Sequence, residues 1–205
     1  MKTDKKHRVC PVEKAGMLEH PLRRLYESPK RILRPFVGEG MDVLDFGCGP
    51  GFFTLEMARR VGPAGHVTAV DLQQGMLDRA REKLERAGLA ERVKFHLCGA
   101  DVVGLEGAFD FILAFHVLHE VPDQKNLLFE MKILLQPKGR MLVVEPGFHV
   151  SREEFRAASE IMQQAGLEVG PGPRILFSRT AVLRRSGDEN PGNRARGQDH
   201  GCWPG

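Results

Sequence analysis

Tryptophan and tyrosine occur once each in these 205 residues, and neither falls between residues 41 and 185, so an aromatic surface there must be built from phenylalanine. Long apolar runs are missing too. The longest, Phe111 to Val121, is cut by His116, His119 and Glu120, well short of the ~18 apolar residues a membrane-crossing helix requires. No apolar stretch follows Met1-Lys2-Thr3-Asp4-Lys5-Lys6, so no secretory signal is visible. Cysteine is sparse: Cys10, Cys48, Cys98 and Cys202 stand far apart with no CxxC pair. That spacing suits free thiols and a cytoplasmic location. A dominant charge is lacking as well, since 30 Lys/Arg face 27 Asp/Glu for a net +3. The charge is unevenly placed. Residues 1–40 carry ten basic against five acidic groups, residues 41–173 fourteen against nineteen, and residues 174–205 six against three. An acidic middle with basic ends does not match a general nucleic-acid binder, whose basic surface belongs on the folded body.

What remains, 41% hydrophobic and 28% charged residues, is enough for one soluble domain with a proper core. Three zones differ in texture. Residues 1–40 are read as an arm of short helices, with Leu22, Leu25 and Tyr26, then Ile32, Leu33 and Phe36 at helical spacing between prolines. Residues 186–205 contain five Gly, two Pro and no Val, Ile, Leu or Phe, and are read as a disordered tail. Between them, residues 41–185 alternate strands and amphipathic helices. Strands are expected at 41–46, 66–71, 92–97, 109–115 and 140–145. Helices are expected from about Gly51 to Gly62, then over 74–87, 123–135 and 151–165, the last opened by a Ser151/Glu154 capping box. Two final strands, 167–170 and 175–184, are joined too tightly for a helical crossover and must pair antiparallel. The rest implies an α/β fold with a parallel, doubly wound sheet.

The most informative stretch is Asp45-Phe46-Gly47-Cys48-Gly49-Pro50-Gly51, set between a strand and a helix. Glycine there permits positive φ and lets a ligand lie on bare backbone, while the following helix offers free N–H groups and a positive dipole end. A dinucleotide fingerprint needs Gly or Ala at 52, where the chain has Phe52. The segment resembles motif I of the class I S-adenosylmethionine-dependent methyltransferases, (D/E)-x-G-x-G-x-G, at every fixed position. Val67-Thr68-Ala69-Val70-Asp71, Cys98-Gly99-Ala100-Asp101, Phe109 to His119, and Leu134 to Arg140 are similar to further family segments in the family's order. The likeness covers about residues 41–185 and is closest to the ubiquinone/menaquinone methyltransferase-like branch.

The resemblance implies a seven-stranded sheet of order 3-2-1-4-5-7-6 with an antiparallel last strand, S-adenosylmethionine as cofactor, and residues 1–40 lying over an acceptor pocket. It implies cofactor contacts from Asp45, Gly47, Cys48, Gly49, Gly51, Asp71, Leu72, Met76, Ala100, Asp101 and Phe115. Asp71 would accept from both ribose hydroxyls and Asp101 from the adenine amine; Cys48 is read as packing. In a doubly wound sheet, ligands bind at the carboxyl ends of the strands, where His116, His119 and His149 fall. These three are the candidate catalytic residues. The spacing His116-x-x-His119-Glu120 fits neither common zinc motif, so no metal is expected.

The acceptor is narrowed by absences. The residues after strand four, Phe115-His116-Val117-Leu118, are not the Asn/Asp-Pro-Pro-Tyr-like sequence of amino-group methylases, and no Pro-Cys dipeptide exists. A small-molecule acceptor is expected. Two alternatives are an NAD(P)-dependent oxidoreductase and a non-catalytic S-adenosylmethionine-binding module.

Overall fold

The computed structural model describes residues 27–100 and 102–187. The expected helices before Glu27, Cys10, Asp101 and the tail from residue 188 lie outside the described residues. Helix α1 (Pro29–Leu33) begins with proline, whose fixed φ suits the first turn. It leads into β1 (Asp42–Phe46), α2 (Thr54–Arg60), β2 (His66–Asp71), α3 (Gln74–Arg86) and β3 (Val93–Leu97). Then follow β4 (Phe109–Phe115), a 3₁₀ turn at Leu118–Glu120, α4 (Gln124–Leu134), β5 (Leu135–Pro146), α5 (Arg152–Gln164), β6 (Leu167–Pro171) and β7 (Ser178–Arg185).

The seven strands form one sheet in the order β3-β2-β1-β4-β5-β7-β6, as expected. The first five are parallel, while β7 runs antiparallel to both β5 and β6. Central strands buried on both faces read as nearly unbroken apolar runs, and β4 is such a strand. Its Phe111, Leu113 and Phe115 join one core cluster with Ile32, Leu33, Met57, Ala58, Leu77 and Leu84 from α1, α2 and α3. Its Ile112 and Ala114 join the other cluster with Leu127, Leu128, Met131 and Met162 from α4 and α5. Alternate residues of one strand therefore hold helices on opposite faces.

Three boundaries differ from the sequence reading, each for a local reason. Helix α2 starts at Thr54 rather than near Gly51, because Gly51 sits at φ 79° and cannot be helical. Strand β5 starts at Leu135 rather than Arg140. Leu135 pairs with Phe109, and Gln136 to Gly139 bulge outward before pairing resumes between Phe111 and Arg140. Strand β7 starts at Ser178 rather than Ile175, since Phe177 takes a left-handed φ of 59° that ends extended pairing. The capping box forms as expected, with Ser151 Oγ accepting from the Glu154 N–H and the Glu154 carboxylate accepting from the Ser151 N–H.

Phe111 is fully buried and stacks on Phe36, 5.3 Å between centroids, joining the segment after α1 to the sheet. Phe111→Ala should cost about 3–5 kcal/mol of unfolding free energy, measured as a lower urea midpoint.

Candidate functional site

The carboxyl ends of β1, β2, β4 and β5 open into one cavity of about 660 Å³. Its cofactor-like half begins with β1. Asp45 is 2% exposed and its Oδ2 accepts from Thr54 Oγ1 at 2.6 Å, so a negative charge sits at the cavity wall beneath the glycine loop. The loop itself is hung on β2: the N–H groups of Gly47 and Cys48 both donate to the Val70 carbonyl. Gly47 cannot be replaced without strain. Its φ is 69°, and a Cβ there would come within 2.6 Å of Val117 Cγ2.

Asp71, at the end of β2, is buried against this loop. Its Oδ2 accepts from Gly49 N–H and its Oδ1 from Gln73 N–H, both at 2.9 Å. Burial pushes its pKa above the ordinary carboxylate value, and the N–H bonds from Gln73, Gly49 and Leu72 pull it partly back. Each carboxylate oxygen has a further lone pair, and Asp71 lines the cavity. Cys48 is also buried, and its thiol is pushed well up by burial and then by the charges of Asp45 and Asp71. Cys98, lining the same wall, is pushed up to about 11 by burial and Asp71. Neither is an activated nucleophile, which agrees with the packing reading of Cys48.

Of the remaining expected cofactor contacts, Gly49, Leu72, Met76, Ala100 and Phe115 line the cavity. Gly51 does not; it stands behind the loop, where a Cβ would press on Ala80 at 3.1 Å. It lets the loop pack closely against α3.

The other half is built from the loops after β4 and β5, which bring His116, His119 and His149 to the same cavity. His119 is held by a buried carboxylate. Its Nδ1 lies 2.5 Å from Glu145 Oε2, while Glu145 Oε1 accepts from the Leu118 N–H at 3.0 Å. Burial opposes charge on the His119 ring, but the Glu145 hydrogen bond and charge, with Glu120, outweigh it and raise its pKa. His149 faces His119 in a stacked arrangement at 6.0 Å. His116 sits at φ 58°, with Nε2 3.5 Å from Ser178 Oγ and 3.8 Å from the buried Glu27 carboxylate. A bulky residue held in the left-handed region costs energy and is characteristic of functional loops. Phe52, Phe53, Phe115 and Phe148 supply the apolar wall.

Sequence reasoning missed Glu145 and Glu27. Glu145 is the last charged residue of a buried strand and is only 2% exposed; a carboxylate in that setting demands a partner, and that was the available signal. Glu27 offers no comparable local signal. Among the described residues, no group of three His, Cys, Asp or Glu could hold a metal, and no helix is long and apolar enough to cross a membrane.

The arrangement can bind a polar cationic or diol-bearing ligand at one end and accept a proton at the other. The raised value of His119 means the fold favours its protonated form. The stabilisation by the pair is therefore full below pH 6.5, the ordinary histidine value, and lost as pH rises through the higher folded value. Glu145→Gln should lower the His119 pKa, leaving burial to dominate, and should reverse the sign of this pH dependence of stability. NMR titration of the His119 ring together with urea unfolding between pH 5 and 8 measures both.

A family model described as methyltransferase domain matches residues 38–171. Demethylmenaquinone methyltransferase from Listeria welshimeri is 33% identical over 109 residues, covering 53% of this chain and 46% of that protein. A ubiquinone/menaquinone biosynthesis C-methyltransferase from a Marinomonas species is 32% identical over 146 residues, covering 71% of this chain and 57% of that one. The chain thus spans about half the length of the curated relatives it matches. A solved structure of a SAM-dependent methyltransferase from Aquifex aeolicus superposes with a TM-score of 0.77 at 26% identity, covering 85% of this chain and 98% of that one. The glycine loop with the Asp45 and Asp71 carboxylates fits S-adenosylmethionine, which carries cationic groups and a ribose diol, and sets the oxidoreductase alternative aside. The chain belongs to the class I S-adenosylmethionine-dependent methyltransferases, the family whose cofactor is S-adenosylmethionine.

Proposed function

We propose that the protein methylates a small, largely apolar molecule whose nucleophilic atom must lose a proton. The observation carrying this reading is that one cavity of about 660 Å³ holds both the glycine–carboxylate cradle and the histidine–carboxylate cluster. The volume lies within the range of about 300–1,000 Å³ usual for small-molecule sites. The relatives named for demethylmenaquinone and for ubiquinone/menaquinone biosynthesis favour an apolar ring acceptor.

S-adenosylmethionine supplies a sulfonium methyl group open to in-line displacement. On this reading Asp71 holds the ribose hydroxyls, and Asp45 places negative charge near the cofactor's cationic groups. Gly47 and Gly49 keep the wall bare of side chains; Leu72, Met76, Ala100 and Phe115 enclose the adenosine. Asp101, outside the described residues, remains the proposed adenine partner. Phe52, Phe53 and Phe148 exclude water and position the acceptor, and such positioning can contribute roughly 7–11 kcal/mol to the rate. His119 donates Nδ1–H to Glu145, which leaves Nε2 to take the acceptor's proton. His116 and His149 line the acceptor.

Calorimetry should show S-adenosylmethionine binding to the wild type, weakened at least about tenfold by Asp71→Ala, since charged hydrogen bonds contribute about 1.5–3 kcal/mol each. Absence of binding at millimolar ligand would sink the proposal. Incubation with methyl-labelled S-adenosylmethionine and cell extract should move label into small molecules. His119→Ala should slow that transfer by about 10²–10⁴ while leaving cofactor binding unchanged. Binding without turnover on any extract would instead favour a cofactor-binding module.

A further inference from the structure

The rim of the cavity carries three exposed apolar side chains, of which Leu176 and Phe177 have no part in the site. Phe148, in the loop after β5, is 76% exposed, and Leu176 and Phe177, between β6 and β7, are 57% and 70% exposed. The two loops form one feature. Pro146 pairs with Ser178 at the ends of β5 and β7, and the Gly147 N–H donates to the Phe177 carbonyl at 2.7 Å. Phe148 also lines the cavity, so the rim adjoins its mouth.

Beside Leu176 and Phe177 lies an open groove lined by the exposed Arg31 and Arg174 together with Gly172, Pro173 and Thr180, and among the described residues no carboxylate contributes to it. Phe177 is moreover kept at φ 59°, where glycine would be relaxed. A strained, solvent-facing aromatic is a cost to the free protein, retained where something else contacts it.

We propose that this rim docks onto an anionic lipid surface. Leu176, Phe177 and Phe148 enter the boundary of the acyl chains, and Arg31 and Arg174 lie at the level of the phosphates. A second copy of the chain is disfavoured, because a two-fold contact through this patch brings each Arg174 toward its own copy. The exposed apolar tips distinguish the surface from a purely basic one. With the cavity mouth at the rim, an apolar acceptor passes between bilayer and site without crossing water; that consequence alone rests on the proposed function.

The test uses the full chain. The sole tryptophan, Trp203, is removed by Trp203→Phe, and Phe177→Trp provides a reporter on the rim. Vesicles of phosphatidylcholine containing phosphatidylglycerol should shift its emission to the blue, and brominated acyl chains should quench it; phosphatidylcholine alone should do neither. Combining Leu176→Ser with Phe177→Gly in the otherwise unaltered chain should weaken vesicle binding at least about tenfold. Its cofactor affinity should be unchanged and its melting temperature no lower, because glycine relieves the positive φ. An unshifted emission with anionic vesicles overturns the proposal. So does undiminished flotation of the double variant, which assigns the attraction to the basic chain ends. A dimer in the wild type that the double variant dissolves, seen by sedimentation, overturns it in favour of a second copy. Failure of the unaltered protein to bind S-adenosylmethionine would strike the proposed function and leave the vesicle result standing.

Discussion

The site depends on one buried carboxylate. Asp71 accepts from Gly49 on one oxygen and from Gln73 on the other, and so fixes the glycine loop of β1 against the loop that follows β2. Burial alone would make this charge expensive; the backbone N–H groups offset that cost and orient the carboxylate at the same time. The strand order then determines what it faces. Because β1 lies between β2 and β4, the loops after β2 and β4 diverge to opposite sides of the β1 loop. The cavity opens where they part, at the switch point of the sheet. Gly47 has no room for a side chain because Val117, from the β4 loop, already fills the space. The two halves of the site meet at that contact.

Each half is organised by a carboxylate from the end of a strand. In the half built on β1 and β2 Asp71 holds backbone; in the half built on the loops after β4 and β5 Glu145 holds the Leu118 N–H and the His119 ring. Both are anchored to parallel strands of the central sheet, so their separation is set by inter-strand hydrogen bonds and not by loop conformation. The loops can then carry strain, as His116 does at φ 58°, without loosening the constellation. Sites built on rigid elements in this manner are pre-organised before any ligand arrives.

What the sequence revealed and what it hid follow from the range of the interactions involved. The bounds of β4 were legible because its burial on both faces forces a continuous apolar run, and α5 was legible because its cap is local. Asp45 and Asp71 were legible because glycine spacing and a strand end lie within a few residues of each. Glu145 was not, because its partners Leu118 and His119 come from another strand's loop. The His119 ring reaches past its own loop and hydrogen-bonds across the sheet. Likewise the bulge at Gln136 to Gly139 and the left-handed Phe177 arise from pairing with distant strands, and no periodicity within the segment announces them. Glu27 reaches His116 from a segment that reads only as part of a helical arm.

The proposed proton chemistry rests on the buried carboxylate that His119 faces. His116 Nε2 stands 3.5 Å from Ser178 Oγ and 3.8 Å from the Glu27 carboxylate, and the His149 ring stacks on that of His119. The Nδ1 of His119 is committed to the buried Glu145 carboxylate. That matters for the charge of the whole cavity. On the proposed function, as the sulfonium loses its methyl group and His119 takes the acceptor's proton, positive charge leaves the end where Asp45 and Asp71 reside and reappears on the imidazole ring beside Glu145. The transfer moves a cation from one carboxylate-lined end to the other, and no uncompensated charge has to form within the phenylalanine wall. Unpaired charge is costly where water is excluded, so on that reading the second buried carboxylate offsets the charge formed on the ring. It also explains why Glu145 belongs to β5, since a carboxylate on the β4 loop itself would move with the ring it is meant to hold.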